Sequence, residues 1–197
     1  IGIGYENYKE FIDDDMYYID KTLLIRDIIQ LGGKVTLFTR PRRFGKTLAL
    51  SMLRTFFELE YDRDGNVVDK RKYFEGKKIM NASPGILEKM GKYPVIKLSL
   101  KSAKQPGFKD AAVKLMEEIA REFARHEYLM KSEVLSLEDK SLFESCRSIT
   151  NLYDMKSDND YSEGIRRYST SLKLLSDLLK KHHGTNVIIL LDEYDVP

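Results

Sequence analysis

Arg40-Pro41-Arg42-Arg43-Phe44-Gly45-Lys46-Thr47-Leu48, RPRRFGKTL, decides how the rest of the chain is read. It follows KVTLFT at 34–39, whose β-branched and aromatic residues read as a buried strand. It runs into TLALSMLRTFFELE at 47–60, where Leu48, Met52, Leu53, Phe56 and Phe57 recur at helical spacing. Strand, glycine-bearing loop and helix, in that order, frame the phosphate-binding (Walker A) loop G-x-x-x-x-G-K-S/T; only its first glycine is replaced, by Arg40. The chemistry asks for Gly45 so that backbone can curl close to phosphate oxygens, with the amides of Arg43 to Thr47 converging at a helix N-terminus. It asks for Lys46 to bridge the β- and γ-phosphates and for the Thr47 hydroxyl to hold magnesium. The cradle is then Arg42, Arg43, Phe44, Gly45, Lys46, Thr47 and Leu48. Arginine at the first position costs about 1 kcal/mol where a left-handed backbone is demanded, which weakens the loop without destroying it. Three readings stand for Arg42 and Arg43: the nucleotide phosphates, an accessory domain, or nucleic-acid phosphate.

A second motif gives the first its meaning. NVIILLDEYD, from Asn186 to Asp195, reads as a buried strand ending in acids, the Walker B pattern. Lys following Gly and preceding Ser or Thr arises by chance in about one chain in ten of this length, and four apolar residues before Asp-Glu in roughly a few per hundred. Their joint occurrence, each at a strand end and in this order, is far rarer. In a nucleotide hydrolase Asp192 would hold magnesium through water opposite Thr47, and Glu193 would orient or deprotonate the attacking water.

Composition narrows the partners. Lys and Arg number 33 against 31 Asp and Glu, so no global field argues for nucleic acid or an anionic membrane, and any basic site is local. Cys146 is the only cysteine, which excludes an internal disulfide and a cysteine zinc site, fits a reducing cytoplasm, and reads as a small buried residue. The longest purely apolar run, Val187 to Leu191, is far short of the roughly 20 residues of a membrane helix.

The remaining chain fills in around these motifs. A short helix is expected over Tyr5 to Ile12, an extended piece over Tyr17 to Ile19, and a helix over Lys21 to Gln30 with Asp20 as N-cap and Gly32-Gly33 as stop. YDRDGNVV at 61–68 reads as a turn or hairpin tip rather than a calcium loop, its glycine coming too early for the latter. A second strand is expected over Val95 to Leu100 and a long helix over Phe108 to Met130. Shorter helices follow over Leu137 to Cys146 and Ser162 to His182, with a mobile loop at 157–160. His182 and His183 sit where a helix dipole favours cations, and capping is preferred over metal binding. His126 reads as a surface or internally satisfied residue.

YYIDKTLLI, TRPRRFGKTLALSML, YFEG, YPVIKLSL and LLDEYDVP together resemble, in order, the AAA-ATPase-like family of bacteria and archaea, predicted P-loop ATPases often followed by a PD-(D/E)XK nuclease-like domain. Arginine at the first loop position looks like that family's rule. The resemblance implies an α/β, three-layer, mostly parallel P-loop NTPase fold of the additional-catalytic-glutamate type, with strand order 5-1-4-3-2. On it, Asp20, Lys21 and Thr22 lie near the nucleotide, although capping by Asp20 explains them without a ligand. The expected organisation is a helical lead-in at 1–33 and a core at 34–197, incomplete after the Walker B strand, with a helical insertion at about 131–183. Strands 4 and 5 are missing, so an open sheet edge should invite self-association or a swapped element. The expected activity is MgATP hydrolysis in the full-length protein, with Lys46 and Glu193 catalytic and Thr47 and Asp192 on Mg2+. A P-loop kinase for a small acceptor, and a degenerate loop serving as an interaction or nucleic-acid-binding module, are the alternatives.

Overall fold

The computed structural model describes residues 4–39, 44–62, 64–148 and 158–194, with side chains omitted at 158–161. Helices and a parallel pair of strands make it up, an α/β arrangement with one group of helices before the first strand and another between the two. The chain divides into two compact units, residues 1–95 and 96–197.

In the first unit three helices carry the framework: α1 (Tyr8–Asp13), α2 (Leu23–Leu31) and α3 (Lys46–Phe57). Asn7 caps α1 by accepting the Lys9 amide, as a short polar side chain does at a helix start. α1 lies on α3, where the Tyr8 amide donates to the Ser51 hydroxyl at 2.9 Å. Behind that bond Tyr8 stacks on Phe74 and meets Tyr18 edge-on, while Phe56 meets Phe74 edge-on. Tyr8, Phe56 and Phe74 are fully buried, each worth about 1.5–3 kcal/mol of apolar transfer. This aromatic cluster fixes α3, and with it the loop that α3 terminates. α2 ends as expected at Gly32, in the left-handed region. Asp20 is not its cap: Thr22 occupies the cap position, and the Asp20 carboxylate accepts the Thr22 amide and hydroxyl and the distant Lys78 amide instead.

Two further readings of this unit meet opposite outcomes. The hairpin tip stands, with Tyr61 bridged antiparallel to Val67 and the Asp62 carboxylate accepting the Asp64 and Asn66 amides. The strand expected at 34–39 does not form: Val35 and Leu37 are 88% and 63% exposed in irregular backbone. β-propensity describes how well a side chain packs on a ladder, and among the described residues no strand pairs with this segment. A short helix, α4 (Pro84–Leu87), precedes the turn into the second strand region.

The second unit is built on β1 (Val95–Ser99) and β2 (Ile188–Asp192), paired directly and spanned by α5 (Phe108–Arg125), α6 (Leu137–Arg147), α7 (Asp158–Ser169) and α8 (Ser171–His183). Ile96 and Leu98 of β1, Met116, Ile119 and Phe123 of α5, Phe143 and Cys146 of α6, and Leu175, Leu178 and Leu179 of α8 form one core. The burial of Cys146 is the reading its sequence context gave, and its thiol is pushed up by that burial.

Two helical boundaries differ from expectation. The helix expected at Ser162 begins at Asp158, where a loop was expected, and breaks at Thr170. There Ser169 and Ser171 turn their hydroxyls onto the Arg166 and Tyr168 carbonyls, offering the backbone an alternative to helix. The helix expected to reach Met130 ends at Arg125 and continues as a tighter 3-10 turn over Glu127–Lys131. Among the described residues, no helix is long and apolar enough to cross a membrane.

Candidate functional site

The loop enters the described structure at Phe44, and Arg40, Arg42 and Arg43 lie outside the described residues. Gly45 is the N-cap of α3 with φ +72°, a left-handed backbone that glycine adopts without a Cβ penalty. The turn into the helix is therefore made by the residue that the phosphate-loop pattern places there. Lys46 is the first residue of α3, followed by Thr47 and Leu48, all three half-buried. No side chain caps this N-terminus and no acidic residue stands in its first turn. The free amides of a helix start carry a partial positive charge of roughly half a unit, and Lys46 adds a full one. A helix built only for stability would place Ser, Asp or Glu here; this one concentrates positive charge, an arrangement suited to an anion.

Lys21 comes to the same place from upstream. Its Nζ donates to the Phe44 carbonyl at 3.4 Å and would sit 3.8 Å from a Cβ on Gly45. Its neighbours are pinned: Asp20 accepts the Lys78 amide at 2.7 Å, and the fully buried Thr22 accepts the Ile79 amide on its hydroxyl at 3.1 Å. Partial burial works against ionisation of Asp20, but the hydrogen bonds from Thr22 and Lys78 outweigh it and hold the carboxyl below the usual aspartate range.

In the second unit, β2 delivers Asp192 and Glu193. Leu190 and Asp192 face inward while Ile189 and Leu191 are exposed, the alternation of a strand with one covered face. The sequence reading of β2 as a fully buried strand is thus half right, because the described helices cover one side only. Asp192 is buried, its Oδ1 accepting the Glu193 amide at 3.0 Å, and no described Lys or Arg forms an ion pair with it. A carboxylate taken out of water without a cation beside it fits a divalent metal ion among its possible partners. Glu193 holds φ +54°, a left-handed conformation uncommon outside glycine that costs on the order of 1–2 kcal/mol.

One cluster escapes sequence reasoning. The chain has three histidines, and all of them gather around Tyr128: its hydroxyl lies 2.9 Å from His183 Nε2 and 3.3 Å from His126 Nδ1, and its ring is 5.6 Å from that of His182. The expectation of cations at this helix end is corrected for His183. Burial and the neighbouring histidines push His183 down to about 4, so the ring is neutral near pH 7. His126 is buried and satisfied by Glu122, which also receives the Lys97 amide on β1. No sequence spacing signals this meeting, since His126 caps α5, Tyr128 lies in the following 3-10 turn and the other two are on α8. Among the described residues no group of three or more His, Cys, Asp or Glu could hold a metal ion.

A family described as predicted AAA-ATPase matches residues 2–197, nearly the whole chain. No curated protein and no solved structure matches.

Proposed function

Because this chain belongs to the predicted AAA-ATPase family, we propose that it binds MgATP through the loop ending in Gly45-Lys46-Thr47 and that the full-length protein hydrolyses it on a P-loop NTPase fold. The observation that carries this reading is the start of α3: a left-handed Gly45, an uncapped helix N-terminus without acids, and Lys46 at its first position.

In this reading the amides from Phe44 to Thr47 take the phosphate oxygens, and the Leu48 amide extends the cradle by one residue. Lys46 neutralises charge on the β- and γ-phosphates, a contact that strengthens as the terminal phosphoryl group departs. The Thr47 hydroxyl and the Asp192 carboxylate would hold Mg2+, which when bound supplies electrostatic stabilisation of the phosphate oxygens. Glu193 orients a water and accepts its proton. The left-handed backbone at Glu193 supports a positioning demand there, because strain of that kind persists where the surroundings over-determine it. The adjacent Asp-Glu pair favours water over another acceptor, and so hydrolysis over phosphoryl transfer.

Titration calorimetry with ATP and Mg2+ on Lys46→Ala is the direct test, and loss of binding is expected. Unchanged ATP affinity in that variant would sink the assignment. Glu193→Gln should keep ATP binding while phosphate release by the full-length protein falls by about a hundredfold or more.

A further inference from the structure

Lys21 has a neighbourhood that stability does not explain. Its side chain is exposed, so burial contributes little, and its described hydrogen bond is the long one to the Phe44 carbonyl. The adjacent carboxylate, Asp20, is turned away from it and occupied by Thr22 and Lys78, and no described carboxylate forms an ion pair with Lys21. Meanwhile the side chains on either side of Lys21, the Asp20 carboxylate and the Thr22 hydroxyl, accept the consecutive amides of Lys78 and Ile79, which gives the lysine a fixed base beside the loop. The destination already holds Lys46 and the positive end of α3, with Arg42 and Arg43 immediately preceding in the sequence. Bringing another ammonium there is electrostatically unfavourable until an anion arrives.

We propose that Lys21 is a second phosphate-binding cation of the nucleotide loop, reaching the polyphosphate from outside the motif across Gly45, an inference that rests on the MgATP reading above. Gly45 turns the chain into α3 through its left-handed backbone, and the Lys21 Nζ lies beside it, 3.8 Å from where a Cβ would stand. Lys46 comes from the first position of α3 and Lys21 from the segment before α2, so two ammonium groups on separate elements serve the phosphate chain. Lys21 is a binding residue for phosphate, with no part in reading the base.

The test is titration of ATP into the wild-type chain, Lys21→Met, Lys21→Arg and Lys46→Ala at two salt concentrations, with thermal melting of each without nucleotide. Lys21→Met is expected to weaken ATP about tenfold and to flatten the salt dependence of binding, with its melting midpoint unchanged. Lys21→Arg should recover most of the affinity. Wild-type affinity in Lys21→Met, with binding lost in Lys46→Ala, would overturn the role of Lys21 and leave the nucleotide site standing. An affinity loss accompanied by a lowered melting midpoint and an unchanged salt dependence would equally overturn it, as the mark of a structural residue. A wild-type chain that does not bind ATP overturns both readings.

Discussion

Replacing Gly45 by alanine separates backbone strain from steric collision at the loop. A Cβ there would have the Lys21 Nζ at 3.8 Å as its nearest neighbour, ordinary contact with the end of a flexible side chain. The cost therefore comes from φ +72°, where an L-residue loses about 1–2 kcal/mol. Gly32 and Gly184 provide controls, since they end α2 and α8 at φ +60° and +65° with nothing within 4 Å of an added Cβ. All three alanine variants should lower urea-unfolding stability by a similar ~1–2 kcal/mol. The consequence for ligand is expected at Gly45 alone. Relief of strain there rotates the amides that would face phosphate, and each lost charge-assisted contact weakens ATP by roughly tenfold or more. Calorimetric titration beside the unfolding curves is the assay. If Gly45→Ala loses the same stability as the controls yet binds ATP like wild type, the left-handed turn serves only to start a helix, and the phosphate cradle is refuted.

The second unit offers two pH-linked predictions. Glu122 works against its burial through hydrogen bonds and charge from His126 and Arg125, which hold it down to about 2; its contribution is present above the ordinary 4.5 and lost as pH falls from 4.5 towards 2. Glu122→Gln should cost about 2–4 kcal/mol at pH 7, measured by denaturant unfolding, because the Arg125 charge and the Lys97 amide lose their carboxylate; a loss below about 0.5 kcal/mol would contradict the burial argument. His183, pushed down to about 4, is favoured neutral, so stability is full above the ordinary 6.5 and declines as pH falls towards 4, by about 1–2 kcal/mol after allowing for solvent screening. The unfolding free energy of His183→Gln should be flatter between those pH values, and an unaltered slope would show that His183 is not the titrating group.

Local signals carried the parts of the fold that neighbours in sequence determine. The glycine stop of α2, the helical run after Lys46, the Asp62 turn and the terminal strand were all legible because caps, periodicity and turn chemistry act within a few residues. Family membership was legible for the same reason, through motifs quoted whole. Asp20 shows where local reading fails. A carboxylate just before a helix satisfies the capping pattern, yet one of its oxygens is taken by an amide 58 residues away. The histidine cluster fails in the same way: Tyr128 and His183 meet across 55 residues, and no period in the sequence connects them.

The segment at 34–39 fails for a different reason: a strand needs a partner as well as a composition. In the order 5-1-4-3-2 that the family resemblance implies, the strand before the phosphate loop would pair with strands 4 and 5, and the second strand with the third. The described sheet holds β1 and β2 side by side, and no third described strand joins them. Among the described residues no strand pairs with 34–39, so KVTLFT has the composition of an interior strand and no described ladder. Val35 and Leu37 are exposed for want of partners rather than for want of propensity. Ile189 and Leu191 on β2 are likewise exposed, in a unit whose described helices cover one face of that strand. An apolar run therefore marks a segment with the composition of a strand, while the pairing that turns it into one depends on residues far from it.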